Sequence, residues 1–354
     1  MAAPEMTLHD SLVVQSRACA GLGSPIYERV FVALADNLVA GGVVSDITKD
    51  MSIRPGRDAA GLRIAGALHR EVLAGRAPLL ARHFPSVGGQ PTDTLVDDYL
   101  TTIRTHADAV RHGLERTVQT NEVGRTTMLA TGMTHFAKAC DVPEIHLREV
   151  GSSCGLNLNI DKYFFANESG TFGDAQSLVR FEHDAWGAPQ PSISGCPTLL
   201  SRRGCDVAPL NARNEEDQLT LLSFVWPDQH LRFTRLRAAL DIASSSSDYI
   251  VPDTSDAAEW LDAQFSKIAD DEPVLIFHSI VWQYFSQETK DNFREVFAKH
   301  AQRRTSSSTA WLRMEPFGPT ADLRIDMWKH GASLTHNHVL ATSSYHGLGT
   351  RAEQ

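Results

Sequence analysis

The stretch Ile145-His-Leu-Arg-Glu-Val-Gly-Ser-Ser-Cys-Gly-Leu-Asn-Leu158 does most to limit the folds open to this chain. A β-prone apolar run ends in an acid, turns through small residues and continues into an amphipathic segment. Parallel strands open pockets for adenosine-bearing cofactors at their carboxyl ends in this way. The same letters spell Gly151-Ser-Ser153-Cys-Gly155, the pattern of a nucleophile elbow. A third reading is a tight strand-to-helix turn whose small residues serve packing alone.

In the cofactor reading, Gly151 lets the backbone turn sharply and Gly155 lets the following helix come close. Glu149, at the strand end, would accept hydrogen bonds from the amino-acid portion of S-adenosylmethionine. Ser153 breaks the dinucleotide pattern G-x-G-x-x-G, which favours a cofactor without a pyrophosphate. Asp206, ending Arg203-Gly-Cys-Asp206, is placed to accept both ribose hydroxyls. It follows the glycine turn by about 50 residues, well beyond the usual gap of roughly 20. The assignment therefore needs an insertion around 161–201; a capping or turn role for Asp206 stays open.

In the hydrolase reading, Ser153 is the nucleophile, with His336, His338 or His346 as base and Asp206 or Asp253 as orienter. That reading needs sheet strands and an oxyanion-hole loop upstream, where the chain supplies helical periodicity instead. His336, His338 and His346 lack an acidic or thiol ligand at short spacing, so no metal is expected.

The periodicity divides the chain. Ser24-Pro25 opens an apolar helical stripe that ends at Gly41-Gly42, Leu62–Leu73 repeats it, and Leu95–Val118 reads as one or two more helices. After Val142-Pro143 strands alternate with helices. Pro273–Trp282 is the strongest strand signal, and Asp322–Trp328 and Val339–Ser343 read as an antiparallel pair. The expected fold is α/β: a helical cap domain over 1–140, then a Rossmann-like, mostly parallel sheet over 141–354 closed by a C-terminal antiparallel hairpin.

Beyond the strongest strand, His278 is a candidate general base, and Trp282 and Tyr284 could stack on an adenine or a substrate ring. The polar patch Gln119-Thr-Asn-Glu-Val-Gly-Arg125 offers Asn121 and Arg125 as substrate contacts and Glu122 as a second base, on a lid. A capped helix start with an ion pair accounts for the same patch.

The net charge of -10 argues against a nucleic-acid surface and toward a small-molecule substrate. Five dispersed cysteines without a C-x-x-C pair suit a reducing cytoplasm, and a signal-like start and a membrane span are both missing. A cytoplasmic protein of undefined oligomeric state is expected.

Taken together, Glu149–Leu158, Asp161-Lys-Tyr163, Arg203–Asp206, Trp226-Pro-Asp-Gln229, His278–Tyr284, Gln119–Arg125 and Glu315-Pro316 resemble the bacterial DUF2332 family, over nearly the whole chain. The glycine turn and strand order of that family look like those of class I S-adenosylmethionine-dependent methyltransferases. The resemblance implies fold more than reaction. The leading expectation is a methyltransferase acting on a small molecule by in-line attack on the sulfonium methyl, with His278 or Glu122 as base. The alternatives are a Ser153 hydrolase and a non-catalytic nucleotide or metabolite sensor.

Overall fold

The computed structural model describes residues 6–52, 54–56 and 58–353. The chain divides into two compact units, Met1–Thr120 with Glu215–Arg237, and Asn121–Asn214 with Ala238–Gln354. Helix 126–140 thus groups with the second unit and 215–237 with the first, on either side of the boundary expected at 140.

The first unit is helical. It holds α1 (Leu8–Gly21), α2 (Pro25–Val39), α3 (Val43–Thr48), α4 (Ala60–Leu73), α5 (Pro78–Ala81), α6 (Leu95–Thr105) and α7 (Ala107–Glu115). Later in the chain it also takes α9 (Glu215–Ser223) and the start of α10 (His230–Ser245), after α8 (Thr126–Cys140). Tyr27, Phe31, Leu34, Leu68, Phe84 and Trp226 lie in its core. Ser24 caps α2, its hydroxyl accepting from Tyr27 N, while Pro25 fills the first helical position, where no donor is needed. Asp228, from the Trp226-Pro-Asp-Gln229 motif, completes that cap. Its carboxylate accepts from Ser24 Oγ at 2.6 Å and Ile26 N at 3.0 Å, and Gln229 donates to Leu22 O at 2.8 Å. The motif is therefore a splice between segments about 200 residues apart, with its polar atoms spent on a helix start.

In the second unit the strands are β1 (Glu144–Val150), β2 (Phe164–Asn167), β3 (Gly170–Gly173), β4 (Arg180–Phe181), β5 (Thr198–Asp206) and β6 (Asp253–Thr254). β7 (Val274–Ser279), β8 (Ser308–Phe317), β9 (Thr320–Lys329), β10 (Ala332–Ser343) and β11 (Arg351–Ala352) follow, with α11 (Ala257–Phe265) and α12 (Gln287–Arg303) between them. Among the described residues an eight-stranded sheet has the order β11-β10-β9-β8-β7-β1-β5-β6. β6, β5, β1, β7 and β8 are parallel, whereas the β8–β9, β9–β10 and β10–β11 pairs are antiparallel.

The sheet is mixed, which corrects the expectation of a mostly parallel one. The cause is local. Phe317 pairs with Thr320 across Gly318-Pro319, a loop far too short for a crossover helix, so β9 must run back beside β8. At the next turn His330 and Gly331 both have positive φ, 53° and 76°, the geometry of a two-residue hairpin. This gives the C-terminal hairpin expected across Lys329–Gly331.

Between β1 and β5 the chain makes an excursion, β2, β3 and β4 forming a separate three-stranded sheet around stacked Phe165, Phe172 and Phe181. The helical segment after the glycine turn, Leu156–Lys162, is a 3-10 helix. Tyr163 hydroxyl donates to Leu156 O at 2.6 Å and draws the chain away into the excursion.

Candidate functional site

The parallel strand order reverses between β1 and β7: the chain goes from β1 to β5 and β6 on one side, then to β7 and β8 on the other. Ligands of open α/β sheets bind at such a switch point, beyond the carboxyl ends of the strands. The turns after β1, β5 and β7 meet at this edge.

The turn after β1 is unusual in its backbone. Gly151, Ser153 and Gly155 all have positive φ, 68°, 52° and 71°. A side chain costs about 1–2 kcal/mol in that region, so Ser153 is held there by its surroundings. Ser153 N donates to Asp206 Oδ2 at 2.9 Å, and Ser152 N to Cys205 O at 3.0 Å, tying the turn to the end of β5. From the other side Asn121 Oδ1 accepts from Cys154 N at 3.2 Å and Leu156 N at 2.9 Å. Asn121 and Asp206 thus grip the turn through its amides.

Gly151 and Asp206 line a cavity of about 180 Å³ together with Asp256, Val281, Tyr284 and Thr289. A Cβ on Gly151 would stand 2.6 Å from Val281 Cγ2, so the post-β7 segment closes over the turn only because residue 151 is glycine. Asp206 is half-buried, and its second oxygen accepts from Ala208 N at 3.0 Å. Tyr284 is 63% exposed at the rim.

Glu149 points to the opposite face of the sheet and is 2% exposed. Asn157 Nδ2 donates to its Oε1 at 2.9 Å, while Oε2 is buried without a partner. Burial pushes its carboxyl up to about 8, with Asp206 adding to the rise and the Asn157 bond and Arg125 opposing it. Glu149 is therefore mostly protonated at neutral pH.

His278 lies on the other face. Strand alternation puts Ile276 and His278 beside Trp311 and Arg313 of β8. His278 has no exposed surface; its Nδ1 is 2.8 Å from Glu315 Oε1, and its Nε2 has no partner. The same Glu315 oxygen accepts from Val281 N and Trp282 N, both at 3.2 Å. The carboxylate sets the Nδ1–H tautomer and holds the post-β7 turn. Trp282 stacks on His278 with centroids 5.2 Å apart.

Of the residues expected from sequence, Gly151, Asp206 and Tyr284 share one cavity, while Asn121 and Ser153 lie outside its lining and hold the turn beside it. Gly155 closes the turn, its N–H donating to Ser152 O at 2.7 Å. Trp282 lines a different, neighbouring cavity. Glu122 accepts from Gly124 N at 3.1 Å, and Arg125 donates to Ser279 O at 3.3 Å and Tyr345 O at 3.2 Å. His336 contacts Asp326 at 3.4 Å, His338 faces His135, and Asp253 accepts from Trp260 Nε1. Ser153 is 3% exposed. Glu315 was not among the expected site residues; its role becomes visible only when β7 and β8 lie side by side.

A family model described as an uncharacterized protein conserved in bacteria (DUF2332) matches residues 9–350, and the chain belongs to that family. No curated protein and no solved structure matches the chain. Among the described residues no helix is long and apolar enough to cross a membrane.

Proposed function

We propose that the second unit binds S-adenosylmethionine at the β1–β5–β7 edge and directs its methyl group to a small molecule. What supports this most is the run of positive φ at 151, 153 and 155, directly after β1 at the switch point. In that shape the turn's own amides are taken up by Asp206, Asn121 and backbone carbonyls, and Gly151 presents a bare Cα to the cavity, where an adenosyl ligand can come close. Seen this way, the parallel half from β6 to β8 corresponds to a Rossmann-like methyltransferase sheet, and the β8–β9 turn is where the chain departs from it.

The residues fit the ribose end of the cofactor. Asp206 reaches the cavity wall, and each carboxylate oxygen can accept a second bond beside its backbone partner. A volume of about 180 Å³ is less than the 300–1,000 Å³ common for such ligands, so the 281–286 segment must shift to admit the rest. The bound cofactor would supply an electrophilic sulfonium methyl. Asn121 and Asp206 keep the turn rigid, Tyr284 shields the mouth, and Glu315, steadied by His278, is the carboxylate placed to take a proton from an acceptor.

A thermal-shift series on the full chain tests the reading. S-adenosylmethionine and S-adenosylhomocysteine should raise the melting temperature while NAD, FAD and ATP do not. A fluorophosphonate label on Ser153 would favour the hydrolase instead, and ligand binding without turnover the sensor.

A further inference from the structure

The cavity beside Trp282 is the larger of the two at this edge, about 280 Å³, and has its own chemistry. β8 supplies Trp311, Arg313, Glu315 and Phe317, β9 supplies Arg324, and α12 supplies Arg294. Each guanidinium lies over a ring: Arg313 over Trp311 at 4.3 Å, Arg294 over Trp282 at 5.2 Å and Arg324 over Phe317 at 5.8 Å. Stacking leaves the guanidinium edge free to meet a planar anion.

Arg313 is committed to Asp326, with contacts of 2.6 and 3.0 Å, and so acts as a fixed wall. Arg324 gives one nitrogen to Asp322 at 2.7 Å and Arg294 one to Asp291 at 2.8 Å, which leaves both with further donors. The wall also carries two carboxylates: Glu315, one oxygen of which takes three hydrogen bonds, and Asp322, which is paired with Arg324. Trp311 is 6% exposed and its indole N–H has no partner. A buried indole donor normally has an acceptor. The spare guanidinium donors in a ring-lined wall suit a flat ligand with an acceptor-rich anionic group.

We propose that this cavity binds a planar aromatic carboxylate of one or two rings, and that one bearing a ring hydroxyl or amine is the methyl acceptor: its heteroatom would bond to the methyl as the S–CH3 bond breaks to release S-adenosylhomocysteine, and its proton would pass to Glu315. The second half of that statement rests on the cofactor reading above; the first half stands without it. The ring lies against Trp282 and Phe317, and the carboxylate faces Arg324 and Arg294.

Tryptophan fluorescence of the full chain, titrated without any methyl donor, tests it directly because Trp282 and Trp311 form the wall. Benzoate, 4-hydroxybenzoate and indole-3-carboxylate should quench saturably, and their carboxamides should not. Arg324→Gln and Arg294→Gln, at half-exposed and exposed side chains, should each weaken the carboxylates about tenfold, the size of a lost charge-assisted hydrogen bond. Trp282→Phe should remove part of the quenching while calorimetry still registers the ligand. Equal quenching by the carboxamides, no saturation at high millimolar carboxylate, or unchanged affinity in both arginine variants would overturn the proposal. Carboxylate binding without donor binding sinks methyl transfer and leaves the pocket standing. Donor binding without carboxylate binding does the reverse.

Discussion

His69 in the helical unit and His278 in the sheet unit are both fully buried, yet their surroundings differ in kind. His69 has partners on both nitrogens, Ser223 O at 3.2 Å and Ser86 Oγ at 2.8 Å, and burial lowers its pKa to about 4. It is a neutral structural imidazole. His278 is paired on one side only, and Glu149 and Trp311 in the same unit also keep a buried polar atom without a partner. Two tyrosines of the helical core, Tyr27 and Tyr99, have an orphan hydroxyl as well, but both stand among apolar side chains. Of the three in the sheet unit, Trp311 lines a cavity, while His278 and Glu149 lie in the sheet next to the strand ends.

The largest expected effect sharpens the folding side of that contrast. Asp228→Ala removes two hydrogen bonds to a carboxylate at the start of α2 and leaves Ser24 to cap it alone. It should cost about 3 kcal/mol in chemical denaturation. A loss below about 1 kcal/mol would mean that the Trp226–Gln229 motif does something other than hold a helix start.

Next comes the pH dependence of Glu149. Its folded pKa lies above the unfolded one, so its contribution is complete below about pH 4.5 and is lost as pH rises through about 8. Wild type should therefore lose stability relative to Glu149→Gln as pH rises from 4.5 to 8.5. Parallel stability curves for the two proteins would refute the raised pKa.

The smallest effect compares the histidines themselves. His69→Phe leaves Ser86 and the Ser223 carbonyl unanswered, whereas His278→Phe also removes an orphan nitrogen and leaves Glu315 its two backbone donors. The first should be more destabilising than the second by about 1–2 kcal/mol in thermal or urea unfolding. Equal losses would erase the distinction.

Much of this was legible in local sequence because it depends on local chemistry. Ser24-Pro25 starts a helix, Val274–Ser279 is a buried strand, and the His330-Gly331 turn closes a hairpin. The mixed sheet was also within reach, since Gly318-Pro319 is a strong turn signal between two strand-like runs. Strand alternation alone puts Trp311, Arg313 and Glu315 on one face. Other features depend on partners far along the chain: Asp228 on Ser24, Asn121 on the turn amides, Glu315 on His278. No window of sequence contains both ends of such a bond. Ser153 marks the limit most clearly, because a serine gives no hint of positive φ until Asp206 and Asn121 are seen holding the turn.

Calorimetric titration of the full chain with S-adenosylhomocysteine, beside an Asp206→Ala variant, tests the central claim most directly. The account expects saturable one-to-one binding by the wild type, weakened at least about tenfold in the variant. Absence of heat at high micromolar ligand, or binding indifferent to the loss of Asp206, would contradict it.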